Sequence, residues 1–264
     1  LAWLSRVVFS SIGQKALLGV TGLALCLFLV AHLGGNLLLY VGAAEYNHYA
    51  HSLHAQKLLL LTAEIGLALT FAVHLGLAFR TASENAAARP QPYAMRQSKL
   101  PDQVMARPAS SVMMISGVIV FAFLVLHLSD FKFDLRNRGP ESEEPFDKAI
   151  RVMTDPVTFV GYILGSLVLG YHVLHGFQSA FQSLGLSHPR YTAAIKQLSL
   201  VFAIVVGAGF ASFPLWVWSG LAKPAGSSAT VPASSGESAA RPPAVTQVGV
   251  SPPIASATEA SAHE

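Results

Sequence analysis

The sequence predicts an all-α membrane protein with five transmembrane helices and a low-complexity C-terminal tail. Three observations predict it. Of the 264 residues, 52% are hydrophobic and only 12% charged, where a soluble domain carries about 25% charged residues. Mean hydropathy is +0.49. Five stretches each supply the ~20 mostly apolar residues that a helix needs to cross a bilayer. Their apolar residues run continuously instead of alternating, which argues against a barrel. This composition excludes disordered, nucleic-acid-binding and ordinary cytosolic proteins. A net charge of +3 calls for no polyanionic partner.

The first span, about residues 16–40, is too long for a signal-peptide core and lacks a small-residue cleavage site after it. The run Glu45-Tyr-Asn-His-Tyr-Ala-His-Ser-Leu-His54 follows. Its His48, His51 and His54 recur every third residue, which fits one wet face of a short interfacial helix. Spans two to five cover about 58–79, 109–128, 156–177 and 198–218. Small residues in all five permit close helix packing, and no short internal repeat is evident. Residues 1–221 form the membrane domain. From 222 to 264 the chain is rich in Ala, Ser and Pro and cannot bury enough apolar surface to fold alone. Five spans put the termini on opposite sides. Nine Lys and Arg on the N-terminal side against eight on the other leave orientation undecided. Asp130, Asp134, Glu141, Glu143, Glu144, Asp147 and Asp155 crowd the connection between spans three and four.

Histidine inside a bilayer is costly unless paired or ligated. Span one carries His32, span two His74, span three His127, and span four both His172 and His175. Alternate spans run in opposite directions, so depth follows from position. Measured from the side opposite the N-terminus, here the far side, His32 is about 12 Å deep, and His127 lies near the same end. His74 and His172 are each about 24 Å deep. The histidines therefore form two pairs at different levels. Paired imidazoles on facing helices suit the two axial positions of a non-covalently held haem b, and two pairs imply two haems b. The single cysteine, Cys26, leaves no Cys-x-x-Cys-His run for covalent attachment. Structural zinc takes four ligands together, which these separated pairs do not offer. His172 and His175 compete for the fourth ligand position; depth matching to His74 favours His172, with His175 as alternative ligand or neighbour.

With this pattern the sequence resembles the single-subunit, five-helix, di-haem cytochrome b membrane anchor of succinate dehydrogenases and fumarate reductases. The resemblance covers about residues 7 to 220. It is carried by Ser10-Ser-Ile-Gly-Gln-Lys15, Ala63-Glu-Ile-Gly-Leu67 with His74, Ala88-Arg-Pro-Gln-Pro-Tyr-Ala94 and Phe123-Leu-Val-Leu-His127. His172-Val-Leu-His-Gly-Phe-Gln-Ser-Ala-Phe-Gln-Ser-Leu-Gly185 completes it. The resemblance implies His32 and His127 as ligands of a distal haem, and His74 and His172 as ligands of a proximal one. The family's fourth-span ligand stands four residues before a glycine, here His172 before Gly176. It further implies a bacterial inner membrane location with a cytoplasmic N-terminus, and flavoprotein and iron-sulfur subunits docked on the cytoplasmic face. Electrons from succinate would reach the proximal haem, then the distal haem, then a quinone near the far side, menaquinone ahead of ubiquinone. Run in reverse, the same parts oxidise quinol and reduce fumarate. Lipid and quinone are its other contacts, and the whole complex is open to oligomerisation. Some family members carry an acid two positions before the fourth-span ligand, implicated in proton movement; Gly170 stands there in this chain.

Candidate quinone residues follow from depth. Glu64 is the acid well inside a span, at about the level of His32; Asn36, Tyr46, Glu45 and Asp130 sit near the same rim. Lys15 and Arg80, with Ser10, Ser11 and Gln14, are candidates to hold haem propionates at the N-terminal side. The competing reading is a haem-free transporter whose histidines relay protons or bind a metal. That reading predicts colourless protein and gives no reason for the paired depths. Another cytochrome b, such as a formate dehydrogenase subunit, is a further alternative.

Overall fold

The structure is a computed structural model, and it describes residues 10–88, 109–186 and 188–222. All regular elements among these residues are helices: α1 Ser11–Asn36, α2 Leu38–Val41, α3 Ala43–Ala55, α4 Lys57–Ala87, α5 Ala109–Phe131, α6 Pro145–Thr154, α7 Pro156–Ser183 and α8 Pro189–Trp218. Five segments are long and apolar enough to cross a membrane: Ser11–Val41, Lys57–Ala87, Val112–Phe131, Pro156–Ser183 and Pro189–Trp218. The tail beyond residue 222 and the Ala88–Ala94 motif after Ala88 lie outside the described residues.

Local sequence explains the helix ends. Ser10 opens α1 by accepting a hydrogen bond from the Gly13 amide at 3.0 Å. Proline occupies the first turn of α6, α7 and α8, where a missing N–H costs nothing. Asp155 caps α7 by accepting from Thr158 N at 2.9 Å. The first span stops at Gly42, whose φ of 133° turns the chain into α3. The histidine-rich run forms a short helix over Ala43–Ala55, as its spacing leads one to expect.

The spans run longer than the sequence boundaries. The second continues to Ala87 instead of 79, the fourth to Ser183 instead of 177, and the fifth begins at Pro189 instead of 198. Hydropathy locates the edge of the apolar slab, whereas the backbone keeps its helical hydrogen bonds past that edge with polar side chains outward.

Packing is uneven. The most extensive helix contact joins α7 and α8; α7 also packs on α1 and α5, and α4 leans mainly on α1. A Cβ on Gly170 would stand 2.9 Å from the Ala203 carbonyl oxygen and 3.0 Å from Gly207 Cα. The two backbones therefore touch, as small residues in membrane helices allow, and no acidic side chain fits at position 170. By contrast, α4 has no buried residue.

At the far side, α6 folds over the ends of the spans. Phe146, Ala149, Ile150 and Met153 of α6 join Leu33, Leu39, Phe213 and Val217 in one apolar core. Asn47 of α3 accepts the Phe146 amide at 2.8 Å, and Trp218 donates to the Met153 carbonyl at 2.9 Å. Several acids of the acid-rich connection are paired. Asp134 meets Lys148 at 2.6 Å, Glu143 meets Arg151 at 2.6 Å, and Glu144 meets His51 at 2.8 Å. Hydrogen bonding to Glu143 holds the Arg151 guanidinium above its usual range.

Candidate functional site

Four intramembrane histidines sit on four different helices: His32 on α1, His74 on α4, His127 on α5 and His172 on α7. The structure brings them together two by two. The His32 and His127 rings stand edge to face, with centroids 5.8 Å apart and planes at 81°. His74 and His172 are close enough for their charges to interact.

Each of the four has Nδ1 engaged. His74 Nδ1 lies 3.2 Å from Thr21 Oγ1 of α1, and that hydroxyl has the Leu17 carbonyl at 2.9 Å to donate to. His172 Nδ1 lies 3.0 Å from Ser116 Oγ of α5, with the Met113 carbonyl at 3.2 Å. His127 Nδ1 lies 3.2 Å from the Tyr162 hydroxyl of α7. At His32 the neighbour is Asn36, whose amide nitrogen donates to the His32 carbonyl at 2.7 Å and stands 3.5 Å from Nδ1. A hydroxyl that donates to its helix carbonyl is left as an acceptor for a proton on Nδ1 of His74 or His172. Nε2, which has no hydrogen-bond partner among the described residues, is then a free lone pair suited to a metal.

The glycine after each hydroxyl residue completes a notch. A Cβ on Gly22 would lie 3.3 Å from His74 Cε1, and one on Gly117 would lie 3.4 Å from His172 Cε1. Thr21-Gly22 stands eleven residues before His32, and Ser116-Gly117 stands eleven before His127. The first and third spans thus share a register that a search for short repeats passed over, because it pairs only three positions. Thr21, Ser116 and Tyr162 are the site residues that sequence reasoning missed; this common spacing was the available signal.

The outer pair is set among rings. Phe28 stacks on His32 with centroids 5.2 Å apart, and Phe210 lies at 5.6 Å. Phe131, Tyr162 and Phe123 surround His127 at 5.3, 5.7 and 6.2 Å. His175 is placed differently: its Nδ1 bonds the Tyr171 carbonyl of its own helix at 3.2 Å.

Other candidate residues are dispersed. Glu64 is half-exposed and paired with Lys132 at 2.5 Å. Asp130 belongs to the last turn of the third span, because α5 runs on to Phe131, and it is fully buried. Tyr46 packs against Phe146 at 6.3 Å, and burial pushes its phenol up from the ordinary range. Arg80 pairs with Glu84 on its own helix at 2.8 Å, and Lys15 is exposed. His188 caps α8. No group of three or more His, Cys, Asp or Glu able to hold a metal ion occurs among the described residues.

No curated protein and no solved structure matches the chain. Residues 89–211, a little under half of it, match the family model of the succinate dehydrogenase/fumarate reductase transmembrane subunit. That stretch contains His127, His172, Ser116 and Tyr162, whereas His32 and His74 lie before it. Over that stretch the chain is similar to this transmembrane subunit, and its five long apolar helices fit a multi-pass membrane protein.

Proposed function

We propose that this chain is the cytochrome b anchor of a succinate:quinone oxidoreductase, holding two haems b. His32 and His127 would hold one, and His74 and His172 the other. The observation that carries the reading is the polarisation of the paired imidazoles. Three of the four meet a hydroxyl at Nδ1, on a neighbouring helix in each case. Such a partner fixes tautomer and ring plane and raises ligand basicity, as outer-shell contacts to metal-bound histidine do. His172 has this interhelical partner and His175 has not, which supports His172 as the fourth ligand. Haem in these positions supplies one-electron carriage between an iron-sulfur partner and a membrane quinone, without opening a coordination site.

The remaining work falls to the chain's own residues. The glycine notches let the imidazoles lie close against neighbouring backbones. Phe28, Phe210, Phe123 and Phe131 keep the outer pair dry. Lys15 and Arg80 sit at the N-terminal side, where carboxylates of a bound group would meet cations. At the far rim, the Glu64–Lys132 ion pair is the proposed place where a quinone would be protonated; Asn36 and Tyr46 are further candidates there. Flavoprotein and iron-sulfur subunits would dock on the N-terminal, cytoplasmic side. Menaquinone is the proposed quinone, and succinate oxidation the proposed direction. Gly170 carries no acid and has no room for one, which supports a complex without a proton route at that position.

A pyridine haemochrome assay on purified protein tests the reading. Two haems b per chain are expected; none, in protein made with ample haem supply, favours the transporter reading instead. Replacing Glu64 with Gln should lower quinone reductase activity, and full activity in that variant removes Glu64 from the quinone site.

A further inference from the structure

Asp130 is the only fully buried charged residue among those described. It ends α5 one turn beyond His127, where burying a carboxylate is expensive without compensation. Its compensation is incomplete. Arg136 Nε donates to Asp130 Oδ1 at 2.9 Å, but the same guanidinium donates to Asp155 Oδ1 at 2.8 Å through Nη2. One cation therefore serves two carboxylates, and the group retains a net negative charge. Thr158 adds only a long contact to Asp130, 3.4 Å, and is itself 3.0 Å from Asp155 Oδ1.

The other neighbour of Asp130 is Tyr162. It follows Thr158 by one turn on α7, on the face that meets Asp130, and its hydroxyl is 3.2 Å from His127 Nδ1. If His127 gives Nε2 to a metal, its proton sits on Nδ1 and is donated to the Tyr162 oxygen. The Tyr162 proton is then free to turn toward the Asp130 carboxylate, which abuts the same face of α7 one turn away. Among the described residues no equivalent stands behind His74 or His172, whose hydroxyl partners have helix carbonyls within reach. His32 has only the Asn36 amide.

We propose that Asp130, acting through Tyr162, is a positioning residue that orients His127 and makes it the most electron-rich of the four ligands, lowering the potential of the outer haem. The proposal rests on the haem reading above. Its chemistry is general: a ligand whose distal N–H is drawn toward a carboxylate is more basic and favours the oxidised metal. A charge left over in a low-dielectric site acts in the same sense.

The test is a redox titration of the purified complex, followed in the haem absorption bands, for the parent, Tyr162→Phe and Asp130→Asn. Tyr162→Phe keeps the ring against Phe123 and Phe131 and leaves the Asp130–Arg136 pair intact, so it reports the link alone. Two haems retained, with one midpoint shifted upward and the other unmoved, is the expected result; Asp130→Asn should shift the same midpoint in the same direction. Unchanged midpoints in Tyr162→Phe with both haems present overturn the proposal and leave the haem reading standing. Parent protein without haem overturns both. If Asp130→Asn does not accumulate, Tyr162→Phe decides.

Discussion

The inner and outer histidine pairs solve one problem with different parts. Around His74 and His172 the supports are near copies: a hydroxyl and a glycine, adjacent in sequence, each offered by the preceding span. Around His32 and His127 they diverge, with an amide on the histidine's own helix at one side and a tyrosine backed by a buried carboxylate at the other. The inner site is neutral and built from helix alone. The outer site draws on the 132–155 connection, because Arg136 lies in that segment and reaches back to Asp130. Two pairs of the same imidazoles can thus acquire unequal electronic character from whatever abuts them.

Replacing the proposed ligands gives the largest expected effect. His74→Ala and His127→Ala should each reduce haem from two per chain to one, read by haemochrome assay, with different residual spectra if the sites are unequal. Identical residual spectra would break the comparison. Arg136→Gln comes next. It strands the buried Asp130 charge, and removing one partner of a buried pair costs about 3–5 kcal/mol. Chemical denaturation in detergent should show that loss, confined to the far side if hydrogen exchange is followed locally.

Thr21→Ala and Ser116→Ala sharpen the inner half of the comparison. Each leaves a ring N–H without its acceptor, a cost of about 1–3 kcal/mol, and the two variants should weaken haem retention by a similar factor. A large inequality between them would mean the cradle is matched in shape but not in strength. The smallest effect is expected at Asp155, where loss of the cap by Asp155→Ala should cost ~1 kcal/mol. The Thr158 amide, ahead of Arg136, holds this carboxyl below its usual range. Its stabilisation is therefore complete above the ordinary carboxylate value of about 4 and is lost as pH falls through the lower folded value. Unfolding curves of parent and variant should converge in acid and separate on raising the pH.

Much of this was legible beforehand. The spans were, because lipid tolerates only long runs of apolar residues with internally satisfied backbones. Their ends were not, since Arg80 to Ala87 and Pro189 to Gln197 continue a helix outside the apolar slab. Depth alone sorted the histidines into levels, because a helix converts residue number into height. The role of Glu64 was harder to read: an acid within a hydrophobic stretch reads as buried, and only the neighbouring chain brings Lys132 to it.

The sequence by itself determined the helical class, the number of spans, and the levels at which imidazoles enter the membrane; these depend on composition and on the fixed rise of a helix. Only the tertiary structure decided which groups support each imidazole. Thr21 and Ser116 also bond their own helix carbonyls, so the hydroxyls by themselves do not mark them as histidine partners. That role arises when Gly22 and Gly117 admit a neighbouring ring. Likewise Asp130 became a buried charge beside Tyr162 only when Arg136 folded back over the end of α5. Hydrogen bonds between helices depend on distance in space, and sequence separations of 53 and 56 residues carry no local signal of such closeness.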